Sequence, residues 1–304
     1  MNQKFKVYEI ALEAPEENED LGTKKKFWFH HDELGKCLCK MARTNTGEAW
    51  SEKISAELCK ILMLPHAQQE LALYNRQQGT ISPTFLPHNG SLTTGNEILA
   101  QIFLDYPQNI HDLSQHTLEN VFKVISESTI DLPWNWQAPP GIETAIDTFV
   151  GYLLLDAWIG NSDRHHENWG FINLDGRSYL APTYDHASCL GRNESDDKRE
   201  GRLKTTDKGF SVEAYADKCK SCIYARSGDS KPLKTFDAFC AAAKLFPQAA
   251  NAWLDRLNQI QTEDTLKLFD CIPDSYISQT AIEFAQKILE VNQDKLVRFR
   301  QELL

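Results

Sequence analysis

A chain of 304 residues exceeds an average single domain, so two lobes are expected, and 41% hydrophobic with 25% charged residues suits a globular protein with a sizeable core. A formal net charge of −11 argues against direct nucleic-acid binding, which needs clustered Lys and Arg, and the strongest apolar run, residues 149–155, stops at Asp156, too short to span a bilayer. The opening MNQKFKVYEIALEAPEENED lacks the basic-then-apolar layout of a secretory signal, and the cysteines show no paired framework, so a reduced, cytoplasmic protein with no membrane partner is expected.

In chain order, residues 4–12 and 24–31 read as strands separated by the acidic loop APEENEDLGT. A third strand, CLCKMAR, covers 37–43, with Cys37 and Cys39 on one face. Ile54, Leu58, Ile61 and Leu62 give a helix one apolar face, and Pro65 ends it. GNEILAQIFL, residues 95–104, reads as a further strand after a Gly- and Thr-rich turn. Beyond about residue 111 the pattern turns helical. Leu118, Val121, Phe122 and Ile125 share a face, and a long helix at about 142–159 has Gly160 as its C-cap. A loop-and-strand interlude (160–192) precedes a polar stretch (193–232) expected to be mobile, then helices at about 235–269 and 278–302. Cys219 and Cys222 form half of a zinc site without its second half and read as structural. The fold class is α+β and bilobal: a sheet-rich N-terminal lobe over 1–105 and a larger helical lobe over 106–304.

The chemistry gathers in GNSDRHHENWGFINLDGRSYLAPTYDHASCLG, residues 160–191. Asp163 follows the long helix on a polar loop, Asn168 lies five positions on, and a hairpin turning at Asp175-Gly176 delivers Asp185. Phosphoryl transfer from ATP needs a carboxylate to take the acceptor's proton, oxygen ligands for Mg²⁺ and a cation on the phosphates. Asp163 suits the first role, Asn168 and Asp185 the second, and a lysine of the N-terminal lobe the third. Lys40 has Lys36 as its rival, and for a helix carboxylate pairing with that lysine Glu52 has Glu57. An isolated D-x4-N is usually a loop of Asx-turns; here the hairpin and YDHASCLG extend it. His165 and His186 read as structural, since Mg²⁺ prefers oxygen, and His166 as exposed.

GNSDRHHENWGF followed by LAPTYDHASCLG resembles the catalytic and metal-binding segments of the HipA-like serine/threonine kinases. The similarity extends to LGTKKKFWF, LCKMAR and GEAWSEKISAEL, and more distantly the D-R-H-x-x-N core is shared with phosphoinositide kinases. The resemblance implies a protein-kinase-like fold, with Asp163 as catalytic base, Asn168 and Asp185 as Mg²⁺ ligands, Lys40 on the ATP phosphates and Glu52 paired with it. It makes Gly22, Thr23 and Lys26 the phosphate-covering loop, and Gln101, Ile102 and Phe103 an adenine hinge. It also implies a protein substrate with a Ser or Thr acceptor, in a translation-related pathway, and an antitoxin partner for toxin-type members or delivery into a host cell for host-directed ones. The chain leaves no room for the extra N-terminal domain of full-length HipA proteins and so resembles the shorter members. Thr23 stands where relatives carry an autophosphorylated serine, and Ser162 occupies the position of the usual catalytic-loop histidine. The alternatives are a small-molecule or phosphoinositide-type kinase, and a pseudokinase used as a binding module. The acidic charge argues against the lipid kinase and the intact Asp163, Asn168, Asp185 and Lys40 against the pseudokinase.

Overall fold

The computed structural model describes residues 3–18, 25–107, 113–127 and 129–303. Strands β1 (Val7–Ile10), β2 (Glu17–Asn18), β3 (Lys26–His31), β4 (Gly35–Met41), β5 (Glu70–Tyr74) and β6 (Gln77–Pro83) form one sheet in the order β1-β5-β6-β4-β3-β2. Period-two alternation sets its faces. Phe27, Phe29, Cys37, Cys39, Met41 and Ile81 point to one side and close a small apolar core with Ile10 and Ala72. The expected shared face of Cys37 and Cys39 is therefore the observed one. The opposite face carries Lys26, Leu38, Lys40, Thr80 and Ser82, with Lys40 opposite Lys26 on one side and Thr80 on the other.

Helix α1 (Glu48–Leu62) follows β4, and Met63 in the left-handed conformation ends it two residues before Pro65. It buries nearly its whole length against the sheet and against Phe269. The strand expected at 95–104 is a helix, α2 (Gly95–Ile102). Thr94 and Glu97 form a capping box there, and a satisfied helix start outweighs the weak strand propensity of the apolar residues. Strand β7 (Ser91–Thr94), just before α2, pairs with β9 in a second sheet ordered β7-β9-β10-β8. That sheet is completed by β8 (Ile130–Asp131), β9 (Gly170–Leu174) and β10 (Arg177–Leu180).

Helix α3 (Leu118–Glu127) packs the expected Leu118, Val121, Phe122 and Ile125 inward. Helix α4 (Ala145–Ile159) is apolar on every side and runs through the centre of the main core, ending at Gly160 with φ 65°. The polar stretch expected to be mobile instead contains α5 (Asp196–Lys204) and α6 (Val212–Ala216). Ser195 caps α5, acids fill its first turn and bases its last, and Arg199 and Arg202 tie it to Asp196 and Glu194. Helices α7 (Thr235–Leu245), α8 (Pro247–Gln259), α9 (Thr262–Asp270) and α10 (Gln279–Leu303) complete the helical part, with α10 laid along α4, α8 and α5. The loop between α9 and α10 reaches the first sheet: the Phe5 N–H donates to Cys271 O at 2.6 Å and Tyr276 Oη to Ala72 O at 2.8 Å. A sheet-rich N-terminal part on a helical C-terminal part is the α+β, bilobal arrangement expected of a kinase. Among the described residues no helix is long and apolar enough to cross a membrane.

Candidate active site

Lys40 sits near the end of β4, on the sheet face away from the small apolar core, and its Nζ lies 3.0 Å from Asp185 Oδ2. Burial alone would pull its ammonium down, but Asp185, Glu52 and Asp163 outweigh that and hold it above its ordinary value. The rival Lys36 is exposed and 3.9 Å from Glu17, away from this cluster. Glu52 is buried, and its Oε1 accepts the His186 N–H at 2.9 Å. Glu57 is instead committed to Lys53 and Lys60, each at 2.7 Å. Lys26 faces Lys40 directly across β3 and β4. Gly22 and Thr23 lie outside the described residues.

Asp163, Asn168 and Asp185 come together on the loop after α4 and the loop after β10. Asn168 Nδ2 donates to the Asp163 carbonyl at 2.7 Å, which fixes the amide and leaves Oδ1 to serve as a ligand. Asp185 is held with φ 58°, outside the conformations an aspartate usually adopts. The oxygens of Asn168 and Asp185 are hard donors suited to Mg²⁺, which takes few protein ligands and completes its shell with phosphate and water. The oxygens of Asn168 and Asp185 therefore fit such a metal.

A buried charge cluster braces this loop. Asp156, on α4, accepts from Arg164 Nε and Nη2, both at 2.8 Å, and from Asn161 Nδ2 at 2.8 Å. Arg164 is fully buried, and its Nη1 donates to Asn168 O at 2.8 Å. His186 lies 3.2 Å from Arg164 Nη2 and 2.7 Å from Thr183 Oγ1; burial first, then Arg164, hold it well below its ordinary pKa, as a structural neutral histidine. His165 Nδ1 accepts the Glu167 N–H at 3.2 Å, likewise a loop-holding contact. His166, expected to be exposed, is buried: Tyr106 Oη lies 3.0 Å from its Nδ1 and its carbonyl accepts the Asn96 N–H. Behind it, His116 Nε2 accepts from Trp169 Nε1 at 3.1 Å while its Nδ1 lies 2.8 Å from Cys222 O. Cys222 Sγ donates to Ser162 O at 3.3 Å, so the CxxC segment packs on the loop that carries Asp163.

Gln101 and Ile102 end α2, and Phe103 lies just beyond it with extended backbone, its N–H spent on Leu99 O and so not open to a base. The chain that leaves the strand beside Lys40 is the end of β6, and just beyond it Phe85 stacks on Tyr184 with centroids 5.6 Å apart. Sequence reasoning missed β6, although Thr80 and Ile81 are β-branched, and missed the Asp156–Arg164 brace, whose members lie on two different segments.

A scan of protein-family models and a search of curated proteins match nothing to this chain. Solved structures do match. The proinflammatory kinase CtkA of Helicobacter pylori superposes with a TM-score of 0.79 at 17% identity, covering 98% of each chain. HipA of the Shewanella oneidensis toxin–antitoxin system, solved with HipB and operator DNA, superposes with a TM-score of 0.55 at 11% identity, covering 97% of this chain and 68% of that one. The polypeptide thus has the fold of the HipA-like kinases.

Proposed function

We propose that this chain is an ATP- and Mg²⁺-dependent kinase that phosphorylates a serine or threonine of a protein. The observation that carries the reading is the convergence of Lys40, Asp185, Glu52 and Asp163 on one side of the sheet, with Lys40 3.0 Å from Asp185 and charged by all three acids. Asn168 and Asp185 would hold Mg²⁺, which when bound neutralises phosphate charge. Lys40, with Lys26 across the strand pair, steadies the phosphates. Residues 83–86, which include Phe85 of the Phe85–Tyr184 stack, take the adenine side, in place of Gln101 and Phe103. Asp163 is partly exposed, at 41%, and orients the acceptor hydroxyl and takes its proton. The likeness of fold to the kinase CtkA and to HipA supports phosphoryl transfer; the protein acceptor and an antitoxin partner, as for HipA, are part of the proposal. Melting in millimolar ATP with Mg²⁺, with and without EDTA, tests the reading. A chelator-sensitive rise in melting temperature is expected, and none at all would overturn it.

A further inference from the structure

One face of Asp163 is already occupied. Ser188 Oγ lies 3.2 Å from Asp163 Oδ2, and Arg192 Nη2 lies 2.8 Å from that same Ser188 Oγ. A guanidinium can only donate, so the serine oxygen accepts from Arg192, and its single proton is directed to Asp163. The Ser188 carbonyl is fixed as well, accepting the Ser162 N–H at 3.0 Å and Ser162 Oγ at 3.1 Å. On the other carboxylate oxygen, the nearest cation-forming side chain is His165, whose Nε2 is 3.9 Å from Oδ1, beyond hydrogen-bond reach.

Arg192 is anchored in turn. Its Nη1 donates to Glu48 Oε1, at the first turn of α1, where Glu48 is 2% exposed, and its carbonyl accepts the Gly47 N–H at 2.8 Å. Glu48 Oε2 accepts the Arg43 N–H at 2.9 Å, just after the strand that carries Lys40. A line of charge-assisted contacts therefore runs from the end of β4, through the start of α1, to the carboxylate of Asp163.

We propose that Ser188, aligned by Arg192, is a positioning residue for Asp163: it binds Oδ2 and so turns Oδ1 toward the acceptor hydroxyl. The proposal rests on the kinase reading above. Because the Ser188 hydroxyl bonds Asp163 and Arg192, and not Lys40, Asn168 or Asp185, its loss should act on turnover and leave nucleotide binding alone.

The test is steady-state phosphate release from Mg²⁺-ATP by the full chain, read as kcat and KM, with nucleotide-free melting as the check on folding. Ser188→Ala should lower kcat by on the order of 10²-fold, the scale of a misplaced catalytic group, with KM for ATP and the ATP-induced melting shift unchanged. Ser188→Thr, which keeps the hydroxyl, should recover most of the loss. Arg192→Lys, which keeps the charge beside Glu48 but loses the fork, should fall between. In an Asp163→Asn background Ser188→Ala should cost nothing more, since its effect passes through that carboxylate. Ser188→Ala turning over like wild type, a change confined to KM, or losses that add in the double variant would each overturn the proposal. Wild type that neither turns over ATP nor shifts its melting would overturn the kinase reading itself, a separate result.

Discussion

Asp163 and Asp185 are chemically identical side chains whose surroundings give them different work. Asp185 lies against Lys40, whereas Asp163 is held by Ser188. Asp163→Asn should therefore cut transfer to a small residual rate and keep the ATP-induced rise in melting temperature. Asp185→Asn should lose both, and equal behaviour of the two variants in calorimetry and turnover would reject the division of roles. His116 offers a second test at this scale. Burial, more than its neighbours, pushes it down to about 3, and protonation of Nε2 would break the bond from Trp169. Its folded value lies below its unfolded one, so the unfolded chain binds the extra proton and stability falls as pH drops below about 6.5. The expected slope is about 1.4 kcal/mol per pH unit for one such histidine. His116→Gln should flatten the melting-temperature profile between pH 6.5 and 4.5; an unchanged slope would place the acid sensitivity elsewhere. The grouping of Asp163, Asn168 and Asp185 was legible from the linear chain, because they sit within one continuous segment. Neither Ser188 nor His116 was, since each acts through a partner that only folding brings near.

Among elements, α4 and the loop after it behave as one unit through Asp156 and Arg164. Arg164→Met should cost about 3–5 kcal/mol, because Asp156 is left charged and buried, and should empty the nucleotide site in the same urea titration. A double change, Arg164→Met with Asp156→Leu, should recover much of the stability without the activity. Strand β6 gives a sharper local test. A Cβ on Gly79 would lie 2.3 Å from the Lys40 carbonyl, so the glycine is what lets β6 approach the lysine strand. Gly79→Ala should destabilise by roughly 1–3 kcal/mol and weaken the ATP shift more than an equally destabilising change in α8 does. The elements that sequence periodicity predicted well, α3, α4 and the β9–β10 hairpin, carry either a strong apolar pattern or an Asp-Gly turn with both residues at positive φ. Helix α2 was misread because its eight residues carry too few turns for a clear period, while the T-x-x-E signature of its cap was present in the sequence all along. Helix α5 was misread because capping and ion pairs, not apolar spacing, stabilise it.

At the scale of the whole molecule, the bilobal plan followed from the change in pattern near residue 105, and the resemblance found in the sequence agrees with a structural likeness spanning 98% of the chain. What the pattern did not disclose is how the two parts are fastened. Besides the covalent crossing after β6, the loop between α9 and α10 is pinned to the first sheet at Phe5, Ala72 and Gln78, the last through Nε2 to Ser275 O at 2.6 Å. Helix α1 adds further fastenings along its length, where Glu48 takes Arg192, Trp50 meets Phe269 and Glu52 accepts the His186 N–H. Parts riveted over an area, and not along a line, yield together, so the chain should unfold in a single calorimetric transition, and two resolved transitions would show that the rivets slip.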